Sequence, residues 1–218
     1  MNPIKNKKDL ETSIEEIRKF AYSYLEKYSP SKQQLRIYLF KKFLKKNQTK
    51  YNKKELFNLI DTVVSTLVDE KLLNDKYYSD SKSKALLRRG YSLNKIRYSL
   101  ISKGIDEKYI KSSISKIKDN ESDPDFFSAI KICKRRKIGP CREEGNRPLY
   151  YKKDISILAR SGFSYEISKR VLEIPKAEFI KFCKMIWVGA IFYYFWIDNN
   201  LISFLAILSR REKIKHQI

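Results

Sequence analysis

Glycine and proline are scarce in this sequence, which holds six of each among 218 residues. An all-β protein needs a turn about every 8–12 residues, and turns rely on these two residue types. The scarcity therefore excludes an all-β fold. Apolar residues, by contrast, make up 42% of the chain and recur at spacings of three and four, which is typical of amphipathic helices. We predict an all-α protein.

Histidine is almost absent, since His216 is the only one and lies in a charged segment. A His-based triad or acid–base pair is therefore not expected. The acidic residues of 119–125 stand where a linker meets a helix start, a place that favours acids without any metal. The sequence also holds neither a GxxxxGK(S/T) nor a GxGxxG motif. We predict a protein that is not an enzyme and has no cofactor.

Cysteine is also rare, and Cys133, Cys141 and Cys183 form an odd-numbered set without CxxC spacing. The further ligands of a zinc site are missing near them, so we expect no metal. No signal peptide is recognisable in the first residues. Reduced thiols in a cytoplasmic protein are therefore the expectation.

Negative charge is in short supply, with 25 Asp and Glu against 47 Lys and Arg, which gives a net charge of +22. A protein with this excess is attracted to polyanions such as nucleic acid, a nucleoprotein or an anionic membrane. The abundance of Lys, Asn, Ile and Tyr also fits an AT-rich coding bias. The positions of the charges are therefore more informative than their number.

Helix start and stop signals divide the sequence into a tandem array of three three-helix repeats. The third repeat consists of DFFSAIKICKRRK, PLYYKKDISILARSG and FSYEISKRVLEI. The predicted organisation is a polar lead over 1–13, repeats over 14–73, 74–119 and 120–175, and a hydrophobic, then basic helical tail over 176–218.

The same residue pattern occurs at three predicted helix starts with the same spacing. A serine opens the helix, a cation follows five residues later, and a leucine follows eight residues later. Offsets of four and eight share one helix face, whereas offset five lies about 100° away, so the leucine is buried while the cation points outward. The serines are Ser31, Ser92 and Ser164, the cations are Arg36, Arg97 and Lys169, and the leucines are Leu39, Leu100 and Leu172.

The residues around each serine fit a helix boundary. Its hydroxyl is placed to accept from the free amides of the first turn. Gly90 and Gly162, two residues before Ser92 and Ser164, are placed to end the preceding helix. A cation in register in three units favours a repeated contact with a partner. The alternative is a solvated face, because any amphipathic helix carries cations at its border.

The segment LVDEKLLNDKYYSDSKSKALLRRGYSLNKIRYSLISKGIDEKYI, residues 67–110, resembles the RecX regulators of the RecA recombinase. The shared features are an apolar helix, a Leu-Asn-Asp corner, an arginine pair, and a Gly-x-Ser helix that closes on Lys-Gly-Ile. The first unit, FAYSYLEKYSPSKQQLRIYL, looks like the N-terminal repeat of that family. The third unit, from CKRRKIGPC to EISKRVL, is similar to the third repeat of its alphaproteobacterial branch. The resemblance covers roughly residues 14–174.

The resemblance implies a modular helical protein that performs no chemistry. We expect it to be a monomer. The resemblance also implies binding in the groove of the RecA–DNA filament and inhibition of recombinase, ATPase and co-protease activity in DNA repair, recombination and the SOS response. A filament next to DNA is polyanionic, which agrees with the net positive charge of the chain. Single- or double-stranded DNA itself is a further candidate partner.

The candidate contact residues are the in-register cations and the basic residues near helix ends. At helix C-termini, a favourable interaction with the helix dipole is the alternative role. The candidates are Arg36, Arg88, Arg89, Lys95, Arg97, Lys103, Arg135, Arg136, Lys137, Arg160, Lys169 and Arg170.

Two features depart from the family. The chain uses lysine where relatives often use arginine, and residues 176–218 match nothing expected. The uncharged run 185–197 is shorter than the ~20 residues that cross a bilayer. A helical hairpin that caps the array, an interfacial membrane anchor, and a tail without selected structure all remain open. The alternative functions are accordingly a helical protein that binds nucleic acid nonspecifically and a peripheral membrane protein anchored by its tail.

Overall fold

The computed structural model describes residues 14–46 and 52–186, and every regular element in these ranges is helical. The prediction of an all-α fold is confirmed. The helices are α1 Ile14–Leu25, α2 Lys32–Lys46, α3 Lys53–Asp69, α4 Asp75–Arg88, α5 Leu93–Ile101, α6 Glu107–Asn120, α7 Pro124–Arg136, α8 Arg147–Arg160 and α9 Tyr165–Leu172, with short 3-10 helices at Gly139–Cys141 and Glu144–Asn146. A further helix, α10, covers 176–186.

Three separate hydrophobic clusters form the interior. The first joins α1, α2 and α3 around residues such as Phe43 and Ile60, and the second joins α4, α5 and α6 around Ile96 and Ile110. The third lies in the segment that begins with α7. The first and second clusters fall within the first and second predicted repeats, whereas the third cluster also includes Phe179, beyond the predicted repeat end at residue 175. The repeat boundaries themselves stay a prediction.

The chain divides into two compact units between Pro124 and Asp125. The first and second clusters belong to the first unit, and the third cluster belongs to the second unit. Within the part of the chain that the structure describes, no helix is both long enough and apolar enough to span a bilayer.

The repeated serines act as predicted at the helix starts. Ser92 Oγ accepts from the backbone N–H of Lys95 at 3.1 Å, and Ser164 Oγ accepts from that of Ile167 at 3.2 Å. Ser31 Oγ accepts in the same way from the third residue after it, at 3.2 Å. Gly90 and Gly162 end the preceding helices with positive φ. The predicted capping pattern is confirmed at all three serines.

The helix groups α1–α3 and α4–α6 meet at the N-terminus of α2. Ser31 Oγ donates to the carbonyl oxygen of Lys103 at 2.7 Å, and the backbone N–H of Lys32 donates to Asp75 Oδ1 at 2.9 Å. Gly104 adopts φ +70°, and a Cβ atom there would lie 2.5 Å from the Cβ of Gln33. The Lys-Gly-Ile turn of the second repeat is therefore packed directly on the first turn of α2, and only glycine fits there.

A buried carboxylate organises the second compact unit. Asp154 on α8 is 1% exposed and accepts from Arg142 Nε and Nη2, each at 2.8 Å, and from the N–H of Gly139 at 2.9 Å. The hydrogen bonds that Arg142 donates to Asp154 raise the pKa of the Arg142 guanidinium, which keeps that group charged. Arg147 in turn donates to the carbonyl oxygens of Leu172 and Ile174, just after α9. Arg142 thus anchors the loop between α7 and α8, and Arg147 anchors the start of α8 to the segment after α9.

The third segment differs from its predicted layout. Helix α9, which starts after Ser164, follows α8 in the way that α5 follows α4. The predicted third repeat ended with this helix, but a further helix, α10, comes after it. Phe179 of α10 is buried, and the ring of Phe182 lies 5.3 Å from that of Phe126 between centroids. The first turns of the predicted tail therefore belong to the core, because Phe179 and Phe182 share a helix face. The predictions for the rest of the tail concern 187–218, which lie outside the described residues.

Replacing Asp75 tests the junction between the first two repeats. Asp75→Ala leaves the Lys32 amide without its acceptor, and we expect the free energy of unfolding to fall by about 1–2 kcal/mol. Asp75→Asn keeps the Oδ1 acceptor and should lose less. Urea denaturation gives the energies, and hydrogen exchange should locate the loss at the first turn of α2. Equal losses for both variants would contradict the role of this hydrogen bond.

Replacing Asp154 tests the buried ion pair. Asp154→Ala removes the partner of Arg142 and the acceptor of the Gly139 amide, so we expect a loss of about 3 kcal/mol. Hydrogen exchange should speed up within 139–160 and stay unchanged in 14–120. Asp119→Ala, at an exposed position of α6, is the matched control. A loss no larger than that of the control would refute the role of Asp154.

Candidate partner-binding surface

The in-register cations are solvent-accessible, while the leucines of the same register are buried. Arg36 on α2 and Arg97 on α5 are 37% and 49% exposed at the side chain, and Lys169 on α9 is exposed. Leu39, Leu100 and Leu172 are at most 3% exposed. The predicted division between an inward leucine and an outward cation is confirmed in all three helices.

In the first compact unit, each in-register arginine is paired with a carboxylate from the next helix. Arg36 pairs with Asp61 on α3, and Arg97 Nη2 lies 2.8 Å from Glu107 Oε1 on α6. These pairs are roughly half-exposed, and such pairs contribute about 0–1 kcal/mol. Their main effect is therefore to orient the guanidinium groups, which leaves both arginines in a comparable setting in consecutive repeats.

The second compact unit lacks this pair. Among the described residues Lys169 has no ion pair. The first residue of α10 is Lys176, whereas the first residue of α6 is Glu107. The third in-register cation is therefore held less firmly than the first two.

A groove between α2 and α3 surrounds the first in-register arginine. The Arg36 guanidinium carbon lies 5.4 Å from the centre of the Phe57 ring, and its Nε is buried without a hydrogen-bond partner. A buried donor without a partner is costly, so an acceptor that entered the groove would gain a hydrogen bond. The groove is lined by Lys32, Gln33, Arg36, Asp61, Val64, Ser65 and Val68.

An exposed apolar side chain follows each of the two paired arginines. Ile37 is 43% exposed and Tyr98 is 71% exposed. Arginine and tyrosine beside each other on a surface are typical of the residues that contribute most to protein–protein binding. Sequence reasoning singled out the cations but missed the partners Asp61 and Glu107, as well as this neighbouring apolar position.

The other candidates in the first unit occupy different settings. Arg88 and Arg89 are exposed at the end of α4. Lys95 lies over the Tyr91 ring, with 5.9 Å from its Nζ to the ring centre. The Lys103 side chain is half-buried, and its carbonyl group takes part in the junction with Ser31. These residues therefore do not share the helix position that Arg36 and Arg97 have in common.

In the second unit, the remaining candidates lie near helix C-termini. Arg135, Arg136 and Lys137 are exposed at or just beyond the end of α7. Arg160 ends α8, and its Nε donates to the carbonyl of Ser156 at 3.2 Å. Arg170 in α9 lies over the Phe126 ring at 4.3 Å. Cations are stabilised at helix C-termini by the helix dipole, so part of this basic character has a local explanation.

Comparison with proteins of known sequence shows what this chain is similar to. No family model matches the sequence. The chain is 30% identical over 156 residues to "Regulatory protein RecX" of Myxococcus xanthus strain DK1622, which covers 70% of this chain and 82% of that protein. It is 28% identical over 120 residues to "Regulatory protein RecX" of Clostridioides difficile strain 630, which covers 53% of this chain and 52% of that protein.

Solved structures show the same fold. A crystal structure of RecX from Lactobacillus salivarius has a TM-score of 0.52 and 18% identity, over 73% of this chain and 94% of that one. Another crystal structure of regulatory protein RecX has a TM-score of 0.53 and 18% identity, over 74% of this chain and 72% of that one. The alphaproteobacterial branch stays a prediction. The helical fold and the match to the Myxococcus relative show that this chain belongs to the RecX family of regulatory proteins.

Proposed function

We propose that this chain binds the filament that a RecA-type recombinase forms on DNA and inhibits strand exchange, ATP hydrolysis and co-protease activity. It does so by occupying a surface, without chemistry of its own. One observation carries the proposal beyond family membership. Consecutive repeats hold an arginine at the same helix position, with a carboxylate partner from the next helix and an exposed apolar neighbour.

A repeated surface is suited to a repeated partner. A filament presents the same subunit surface again and again, so a protein with two equivalent patches can engage two neighbouring subunits at once. The second contact is then intramolecular, and overall affinity can exceed that of either patch by about 10²–10⁴. Junction contacts between Ser31 and Lys103 and between Lys32 and Asp75 support this role, because they join the two repeats.

The chemistry of the two patches favours a protein surface over phosphate. Asp61 and Glu107 stand beside Arg36 and Arg97, and their negative charge opposes the approach of a phosphate group. The exposed Ile37 and Tyr98 add apolar contact area that DNA backbone does not match. We assign the patches to recombinase subunits.

Exposed basic residues that form no ion pair within the described part of the chain suit the DNA side of the filament better. Arg88 is exposed at the end of α4, and Arg136 and Lys137 are exposed at the end of α7. Cations of this kind bind phosphates by releasing counterions, which makes the interaction strongly dependent on salt. We propose that they strengthen binding to the nucleoprotein without selecting the recombinase.

Reversing the charge of Arg97 tests the proposal. We expect Arg97→Glu to raise the concentration needed for half-inhibition of recombinase ATP hydrolysis on single-stranded DNA by roughly tenfold or more, because a hydrogen bond from a charged group is lost at the interface. Helicity should not change, since the pair with Glu107 is exposed. Full inhibition by Arg97→Glu would remove this residue from the contact surface.

Two controls separate the contact from plain charge. Lys111→Glu makes the same charge change at an exposed position of α6 outside the register and should leave inhibition nearly intact. Binding to naked single-stranded DNA, measured at several salt concentrations, gives the second control. If Arg97→Glu and Lys111→Glu weaken inhibition and DNA binding equally, the protein acts by nonspecific competition for DNA.

A further inference from the structure

Aromatic side chains form a row along the seam between α1 and α2. The rings of Tyr24 and Tyr38 are stacked, with centroids 4.0 Å apart and an interplanar angle of 20°. Beyond the end of α1, the ring of Tyr28 lies 4.9 Å from that of Tyr24 between centroids. On the other side, Lys42 Nζ lies 3.3 Å from the Tyr38 hydroxyl oxygen and 3.9 Å from the centre of the Phe20 ring. We call Tyr28, Tyr24, Tyr38, Lys42 and Phe20, each in contact with the next, the aromatic row.

Tyr28 is the exposed end of the aromatic row. It is 58% exposed, whereas Tyr24 and Tyr38 are half-buried. In the described part of the chain, Tyr24 is the only aromatic ring that packs against Tyr28, and no cation lies over the Tyr28 ring. A ring that ends a stack in this way presents a face on which a further flat ring can stack. Tyr28 therefore offers a stacking position that no described residue fills.

Exposure alone does not create such a position. Tyr77 on α4 is even more exposed, at 67%, but among the described residues no aromatic ring or cation packs against it. Tyr28, by contrast, rests on Tyr24, which in turn rests on Tyr38. This support restricts the orientation of the exposed ring. A ring that is already oriented loses less conformational entropy when a ligand binds to it.

Helix α2 supplies positive charge beside the aromatic row. It contains six lysine and arginine residues and no aspartate or glutamate. Lys41, Lys42 and Lys45 follow Tyr38 by three, four and seven residues, and residues at these spacings share one helix face. Lys41 and Lys45 are exposed, and within the described ranges none of the three lysines forms an ion pair. Their charges are therefore available to an anionic ligand.

The aromatic row and Arg36 lie on different sides of α2. Tyr38 follows Arg36 by two residues, which places it about 160° away around the helix axis. The buried Leu39 lies between these two directions and packs into the first hydrophobic cluster. A ligand on the aromatic row therefore leaves the pair of Arg36 and Asp61 uncovered, and both surfaces can be occupied at the same time.

We propose that the aromatic row is a binding site for single-stranded nucleic acid, in which one nucleobase stacks on Tyr28 and the three lysines of α2 hold neighbouring phosphates. A stacking ring next to a row of cations is the combination that binds single strands with little regard to sequence. In a duplex the faces of the bases are already stacked on one another, so the site favours single strands. The proposal is independent of the proposed function, because it concerns nucleic acid without a recombinase.

Substitution of Tyr28 tests the stacking position. The probe is a fluorescently labelled oligothymidylate added to the full chain, and fluorescence anisotropy gives its Kd. We expect Tyr28→Ala to raise the Kd roughly tenfold or more, because the stacking of one base is lost. Tyr28→Phe keeps the ring and should bind as the wild type does. Tyr77→Ala removes an exposed tyrosine outside the aromatic row and should leave the Kd unchanged.

Salt dependence separates the stacked base from the bound phosphates. Lys45→Gln should reduce the slope of log K against log salt concentration by about 0.7, the value for one phosphate contact on a single strand. Tyr28→Ala should leave this slope unchanged, because a stacked base carries no charge. Lys111→Gln, at an exposed position of α6, is the charge control and should change neither the Kd nor the slope.

A strand without bases provides the sharpest comparison. The wild type and Tyr28→Ala should bind an abasic strand of the same length with equal Kd, since that ligand offers phosphates but nothing to stack. Circular dichroism confirms that each variant is folded. The proposal is overturned if Tyr28→Ala binds oligothymidylate as tightly as the wild type does, or if Tyr77→Ala weakens binding equally. A loss by Tyr28→Ala that persists on the abasic strand would overturn it as well.

Discussion

The start of α2 is closed by residues of the following repeat, and the arrangement of the first compact unit depends on this contact. Asp75 accepts from the Lys32 amide, and the Ser31 hydroxyl donates to the Lys103 carbonyl. A helix start needs acceptors for its free amides, and here one of them comes from α4. The hydrogen bonds at the start of α2 therefore also join the two predicted repeats. Gly104 makes the joint close, because any side chain there would strike Gln33.

The joint lies close to both arginines of the proposed contact surface. Arg36 lies one turn beyond the joined start of α2, and Arg97 lies on α5, which ends at the turn that contains Lys103. Each arginine is then oriented by an acid from the next helix of its own repeat. Two equivalent patches can bind two neighbouring subunits at once only if the distance between the patches stays constant. The hydrogen bonds at the joint hold that distance. The same hydroxyl that starts a helix therefore also helps to position the proposed contact surface.

Much of this was predictable from the sequence, because it follows from local rules. The helical class, the capping serines, the glycine helix ends and the outward cations depend on residues within about two turns of one another. The RecX family was identifiable from the order of three short motifs. The pairs of Arg36 with Asp61 and of Arg142 with Asp154 were not foreseen, since they join different helices and acids on helices usually face solvent. The place of α10 in the core was missed because Phe179 and Phe182 begin an apolar run that resembles an independent tail.

The proposed function requires that equivalent positions of the two repeats contact equivalent sites on the filament. The most direct test compares filament binding by full-length Arg36→Glu, Arg97→Glu and the double variant, measured by fluorescence anisotropy at moderate salt. We expect each single variant to weaken binding by a similar factor, roughly tenfold. The double variant should lose detectable specific binding while it retains its helicity. Single variants with widely different effects, or a double variant that binds as the wild type does, would contradict the account.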